Sequence, residues 1–339
     1  MTGINKFSER KIISIITELL ESESKKGSIC RLVVGPGNDD CAVIDMGVSG
    51  LLVATTDMLH RKADFPSGMT PYQMGWMSIA VNLSDIAAMG ARPVGIMTAL
   101  GLPLDMEVDF VKELVSGMSA CARRYGTKII GGDVDRHDEL TIVGSALGVV
   151  DAGQLITRKG AKPGDLVCVT GETGTAGAAL EALQEGRYVG PEVLEKFYMP
   201  VPRIAEGMAL AGSLCLTSMM DISDGLALSL HDLAAASGVG FHIRASDIPV
   251  HRSVRDMAPV RDKGIEDNVV EDKIFGWSLY TGGDFELLFT LNTECLEKAG
   301  KVAQFTVIGE VTTRGITIEH DGHIEDVEPR GFQQFGDKV

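Results

Sequence analysis

The sequence predicts a two-domain α/β protein, and three observations lead there. At 339 residues the chain exceeds one ordinary core, and the usual domain size gives about two. Aliphatic residues supply most of its 45% hydrophobic fraction while aromatics make up 5%, and 40 glycines require many turns or close backbone approaches. β-rich and helical segments alternate along the chain, and the alternation restarts after a polar, turn-rich stretch, RKGAKPGD (158–165).

The run NKFSERKIISIITELLES carries charges among its apolar positions and spaces Ile12, Ile15, Ile16 and Leu19 as a helix does. It reads as an amphipathic helix rather than a signal peptide. RLVVG (31–35), CAVIDM (41–46) and LLVATTD (51–57) read as strands. A helix then starts at Thr70-Pro71 and stops at Gly90, ahead of Pro93. A strand near 94–102, an amphipathic helix over 106–125 and strands at 128–133 and 140–150 complete an α+β unit, and a boundary near residue 151 separates domains 1–150 and 151–339. The second opens with a strand at DLVCVTG. Helices near 175–186 and 203–212 follow, then a DISDGL turn into another helix, and strands near 239–245, 284–291, 305–311 and 315–320. PVHRSVRDMAPVRDKGIEDN (249–268) reads as a loop with some helix. Short-period repeats, low-complexity segments and coiled-coil heptads are absent from the sequence.

A net charge of −16 with no offsetting basic patch argues against nucleic acid or an anionic membrane as partner. Six cysteines (Cys30, Cys41, Cys121, Cys168, Cys215, Cys295) lie far apart without a CxxC pair and read as reduced, mostly buried thiols. The most apolar stretch, near 74–100, is interrupted by Asn82, Asp85, Arg92 and Pro93, which leaves no membrane span. The expected setting is the cytoplasm.

Several aspartates end hydrophobic strands or interrupt apolar helices: Asp39 and Asp40 in GNDDCAV, Asp57 in ATTDM, Asp85 in NLSDIAAMG, Asp133 in IIGGDV, and Asp221 and Asp224 in MMDISDGL. Taken singly, each has a bland alternative as a turn former, a helix cap or a solvated side chain. Together they point elsewhere, because an unpaired buried carboxylate is costly and Lys and Arg are rare in these segments. Asp85 is the hardest to dismiss: its helix is apolar nearly all round, with Asn82 one turn away on the same face. Oxygen-only ligands select Mg²⁺ or a close relative over zinc. No EF-hand loop is present, and glycines in GGD (131–133), GETGTAG (171–177) and TGGD (281–284) offer backbone N–H groups to phosphates. GETGTAG lacks the GxGxxG spacing and reads better as a structural turn. With no Walker A motif, a triphosphate here would rely on several Mg²⁺ ions.

In order, GNDDCAV, TTD, NLSDIAAMGARP, GGD, TRKGAKPGD, DISDGL and GGDFELLF resemble thiamine-monophosphate kinases of the PurM-like ATP-binding superfamily over nearly the whole chain. The resemblance implies a PurM-like architecture: an N-terminal sheet domain that pairs with its copy in a homodimer, and a C-terminal α/β domain that closes over the nucleotide. It implies an ATP- and Mg²⁺-dependent transfer of phosphate to thiamine monophosphate. Carried over motif by motif, the magnesium ligands would be Asp40, Thr55, Thr56, Asp57, Asp85, Asp133, Asp221 and Asp224. Gly132, Asp133, Arg158 and Ser223 would contact ATP, and Asp57, Asp85, Asp133 and Asp224 would carry the catalysis. Arg158 has an alternative as an exposed linker arginine. An oxygen of the acceptor phosphate would attack in line, with no obligatory base, since a phosphate monoester is largely deprotonated above its second pKa of about 6.

Departures fall on the acceptor side. Where the family commonly has His in a G-x-HF element this chain has Asp64 in KADFP, and where it has GGEDYEL this chain has TGGDFEL, with Gly283 at the glutamate's place. Phe332 in RGFQQF takes the position of the C-terminal aromatic, able to stack on a heteroaromatic ring or to cover the core. Asp64 would face a cationic thiazolium with opposite charge. Two competitors are another ATP-dependent enzyme of the superfamily and a non-catalytic dimeric nucleotide binder. The selenophosphate synthetases need a reactive Cys or Sec near the N-terminus and the hydrogenase-maturation proteins end in cysteine, whereas this chain ends in DKV.

Overall fold

The structure, a computed structural model, describes residues 7–23, 31–47, 49–257 and 267–333. Helix α1 (Glu9–Glu23) precedes β1 (Arg31–Val34), β2 (Ala42–Asp45) and β3 (Leu51–His60). Then come α2 (Pro71–Ala88), β4 (Arg92–Leu102), α3 (Val108–Arg124), β5 (Ile129–Arg136) and β6 (Thr141–Val150). The six strands form one sheet in the order β1-β2-β3-β6-β4-β5, antiparallel except for the β4–β5 pair.

α2 begins where its sequence signals place it. Thr70 accepts from Gln73 N while the Gln73 side chain takes the Thr70 N–H, and Pro71 fills the first turn. Apolar on every side, the helix is sandwiched. One side covers the inner face of the sheet, where Asn82 and Ile86 lie against Gly144 and Gly148 of β6, and Trp76 reaches into the second half by donating to Pro200 O at 2.9 Å. The opposite face of the sheet is open and carries Met58 (54% exposed) and Met97 (45%).

The second half runs β7 (Leu166–Val169), α4 (Thr175–Gln184), α5 (Pro191–Tyr198), α6 (Ile204–Gly212), β8 (Leu216–Asp221), α7 (Leu226–Ser237) and β9 (Gly240–Arg244). It continues with α8 (Arg252–Met257), α9 (Asp267–Tyr280), β10 (Leu287–Leu291), α10 (Leu296–Gly300), β11 (Thr306–Thr312), β12 (Ile316–His320) and β13 (His323–Asp326). Its seven strands are ordered β13-β12-β9-β11-β7-β10-β8, with only β9–β12 parallel. One apolar cluster runs from Val53, Ile79 and Leu114 through to Met219 and Phe289, so the two sheets share a core across α2. A second lies between α7 and its sheet, around Leu230, Phe241 and Ile243.

Two strands outrun their expected ends. β3 pairs with β6 as far as His60–Thr141, and β5 with β4 as far as Leu102–Arg136, so Asp57 and Asp133 lie within strands rather than at their ends. The added residues mix apolar and polar types without a clean alternation: Leu59 packs on the core while Met58 and Val134 are exposed. Helices α5 and α9 and strand β13 were not legible in the pattern; β13 is exposed throughout and has no apolar alternation. Within 249–268 the structure forms α8, and residues 258–266 lie outside the described residues, as does Cys30. Among the described residues Cys41, Cys121, Cys168 and Cys215 are buried free thiols and Cys295 is partly buried. No helix among them is long and apolar enough to cross a membrane.

Candidate metal and nucleotide site

Oxygens of Asp40, Asp85 and Asp221 lie within 4.8 Å of one another. The three arrive from different places: Asp40 from the loop before β2, Asp85 from the last turn of α2, and Asp221 from the end of β8. Each is held by a neighbour. Arg158 Nη2 donates to Asp40 Oδ1, and its main-chain N–H donates to Asp39 Oδ2 at 2.9 Å. The Thr55 hydroxyl donates to Asp85 Oδ2. Asp221 accepts from Ser84 Oγ at 2.6 Å and from Ser223 Oγ at 3.2 Å.

These carboxyl groups crowd one another in a buried setting. Burial first, then repulsion from Asp57, Asp221 and Asp40, pushes Asp85 well above the usual carboxylate range. Asp221 rises to about 7 through burial and Asp40, and Asp39 likewise to about 7. Asp57 rises to about 6 by burial, then by Asp224 and Asp40, and Asp224 to about 6 chiefly by burial. Arg158 stays charged although burial opposes it, because Asp40 and Asp232 face its guanidinium. One oxygen of the pair at Asp40, Oδ2, is buried with no hydrogen-bond partner. An orphaned carboxylate oxygen beside two further acids fits a hard divalent cation. Cys41 does not compete as a ligand: burial and the nearby acids raise its thiol well above its ordinary value.

The remaining candidates divide by strand geometry. Asp57 and Thr55 share the inner face of β3, and Asp57 senses the charges of Asp224 and Asp40. Thr56 points to the opposite, open face, where its hydroxyl donates to Gly144 O at 2.8 Å and lies 3.0 Å from Ser145 Oγ. Asp133 is exposed on the same open face, on edge strand β5, with β6 and β4 between it and β3. Within one chain, therefore, Thr56 and Asp133 do not join the carboxylate group. Gly132 has a packing reason to be glycine, since a Cβ there would sit 2.0 Å from Thr98 O of β4. Asn82, read with Asp85, is fully buried; its Nδ2 donates to Ser78 O and its Oδ1 has no partner.

Of the residues expected to meet the acceptor, Gly283 N donates to Ser223 O at 2.8 Å and Phe332 N to Asp224 O at 2.9 Å, so both flank the DISDGL turn. The Phe332 side chain is 46% exposed and does not cover the core. Asp64 is tied into the turn after β3, where it accepts the His60 N–H at 2.6 Å. Arg158 is only 23% exposed and is not a free linker arginine. A groove of about 1320 Å³ lined by Thr170, Arg203 and Lys301 includes none of the clustered acids. Three residues near the site escaped the sequence reading: Ser84, Arg10 and Asp232. Asp232 lies in α7 beside His231, in a helix that also carries Ser229 and Ser237, so nothing in its surroundings singles it out.

Residues 38–150 match AIR synthase related protein, N-terminal domain, and residues 162–321 match AIR synthase related protein, C-terminal domain. The two sheets and the acids between them thus define an AIR synthase related protein of PurM-like fold. The chain is 42% identical over 287 residues to the thiamine-monophosphate kinase of Methanospirillum hungatei, covering 84% of this chain and 89% of that one. It is 35% identical over 329 residues to the thiamine-monophosphate kinase of Archaeoglobus fulgidus, covering 96% and 98%. A solved structure described as AaThiL complexed with AMPPCP and TMP aligns with a TM-score of 0.84 at 27% identity, covering 99% of both chains. The chain belongs to the thiamine-monophosphate kinase family.

Proposed function

We propose that this chain transfers the γ-phosphoryl group of ATP to thiamine monophosphate, giving thiamine diphosphate, with Mg²⁺ held by its clustered aspartates. The observation that carries this is the convergence of Asp40, Asp85 and Asp221 within 4.8 Å from both halves of a chain in this family. Its relatives bear the name thiamine-monophosphate kinase, and the aligned structure holds AMPPCP with TMP.

Asp40, Asp85 and Asp221 would hold Mg²⁺, with Asp57, Asp224 and Thr55 beside them, and bound Mg²⁺ would neutralise phosphate charge and draw two anionic substrates together. Around it the protein's own groups do the positioning. Arg158 fixes Asp40, Thr55 fixes Asp85, and Ser84 and Ser223 fix Asp221. Ser223 and the glycine backbone at Gly283 border the region where phosphates would enter. No base is needed, because the acceptor oxygen belongs to a phosphate with a second pKa of about 6. The catalysis is therefore orientation and charge stabilisation.

Halves 1–150 and 151–339 act in this reading as the two domains that close on the nucleotide. A homodimer would form through the open face of the first sheet, where exposed Met58 and Met97 supply apolar area. It would bring a second copy over Thr56 and Asp133, giving these two a site to serve across the interface. The working compartment is the cytoplasm, where ATP and Mg²⁺ are at hand.

The test is to incubate purified protein with ATP, Mg²⁺ and thiamine monophosphate and follow thiamine diphosphate. Product that requires Mg²⁺ supports the reading. No product despite ATP binding would overturn the acceptor, and would favour a different small molecule suited to Asp64 and Gly283. Failure to bind ATP would overturn the whole assignment.

A further inference from the structure

Five charged residues alternate in sign along one edge of the site: Asp224, Arg10, Asp232, Arg158 and Asp40. Arg10, in the first turn of α1, grips Asp232 of α7 at two points, Nε to Oδ1 at 3.1 Å and Nη2 to Oδ2 at 2.6 Å. The same Nη2 stands 3.7 Å from Asp224 Oδ2. On its other side, Asp232 Oδ2 is 3.8 Å from Arg158 Nη1, whose Nη2 is committed to Asp40. Asp232 is thus shared by both arginines that border the acids, although no motif of the sequence marks it.

We infer that Asp232 is a positioning residue that tethers Arg10 and thereby keeps Asp224 open to a divalent cation; the inference rests on the metal reading above. The physical reason is a competition of partners. A guanidinium makes its best pair two-pronged on one carboxylate, and Asp232 supplies that geometry. Asp224 is left with the longer contact, 3.7 Å. Without the Asp232 carboxylate, the nearest acid to Arg10 is Asp224, and a direct pair there would occupy the oxygens a cation needs.

The test is a double-mutant cycle read by Mn²⁺ binding, without nucleotide or turnover, using the paramagnetic resonance of free Mn²⁺ on the full-length chain. D232N should weaken binding about tenfold, as expected when a new charge pair captures a ligand. R10M alone should change it by less than about twofold, because the tethered guanidinium is already neutralised. R10M placed in the D232N background should restore the lost tenfold. Thermal unfolding establishes that each variant is folded, and Asp232→Ser offers a second way to cut the tether. Equal effects of R10M in both backgrounds would mean simple addition of charges and would overturn the tether, as would a D232N loss that R10M does not relieve. If the unmodified chain binds no Mn²⁺, the metal reading falls and takes this inference with it; Mn²⁺ binding with an additive cycle removes the tether alone.

Discussion

Ser84 Oγ donates a 2.6 Å hydrogen bond to Asp221 Oδ2, and both side chains are buried. One bond thus joins α2 of the first half to the end of β8 in the second, at the point where three carboxyl groups meet. Ser84→Ala leaves a buried carboxyl oxygen without its donor, which costs about 1–2 kcal/mol. We expect lower stability by denaturant unfolding and a higher Mg²⁺ concentration for half-maximal rate. An alanine variant with unchanged midpoint and unchanged Mg²⁺ requirement would show the bond to be incidental.

Asp85→Asn separates function from stability. The amide keeps the shape of the side chain and removes a charge that three neighbouring aspartates repel. Turnover should fall by about a thousandfold or more, since a charged ligand is lost. The melting temperature in EDTA should hold or rise. Retention of the wild-type rate would take Asp85 out of the site.

The raised carboxyl groups set a pH dependence whose sign follows from linkage. Asp57 and Asp224 at about 6, and Asp39 and Asp221 at about 7, keep protons in the folded protein that an unfolded chain releases near its ordinary values. Their contribution is fully present below the unfolded values of about 4 and is lost as pH rises through about 7. In EDTA the melting temperature should therefore decline between about pH 4 and pH 7 from this source. Mg²⁺ should raise it more at pH 8 than at pH 5, because the ionised form binds. A Mg²⁺ increment independent of pH would contradict this.

Gly283 has φ of +101°, and a Cβ there would lie 3.0 Å from that of Ala176. Restoring the family's glutamate at this place strains the backbone, so Gly283→Glu should cost about 1–3 kcal/mol. Gly283→Ala should cost nearly as much, since the strain comes from the Cβ. Urea unfolding of both variants checks this. A glutamate that costs nothing would mean the segment relaxes readily.

Phe332 is anchored by its main chain to Asp224 O while its ring stays half in solvent. Phe332→Ala should leave stability within about 0.5 kcal/mol. It should raise the KM for the acceptor about tenfold and leave that for ATP unchanged, as expected of a ring that stacks on one substrate. Loss of thermal stability with both constants intact would assign the ring a structural role instead.

Much of this architecture is legible in the sequence. The Thr70–Gln73 cap marks the start of α2 in the letters TPYQ, and Asp85 stands out as the one charged residue of a mostly apolar helix. Motif order pointed to Asp40 and Asp221, which meet Asp85 although they lie far apart in the chain. Alternation along β3 also decides between two neighbours: consecutive residues of a strand face opposite ways, so Thr55 and Thr56 cannot both turn their side chains to one cluster. The Arg10–Asp232 pair was out of reach for a different reason. Its members are 222 positions apart, and neither periodicity nor composition encodes such a meeting.

The crossing between the halves is fastened at every step. Met219 N of edge strand β8 donates to Thr157 O, Ser237 Oγ donates to Arg158 O and accepts from Gly160 N, and Arg158 N meets Asp39. Its length is consequently under tighter constraint than its lettering. Many side chains would be tolerated at Lys159, whereas one residue inserted after Thr157 would carry the guanidinium away from Asp40 and leave two sound halves around a mis-set joint. Engineers seeking a permissive insertion point, and lineages sampling indels, should both find this bridge closed.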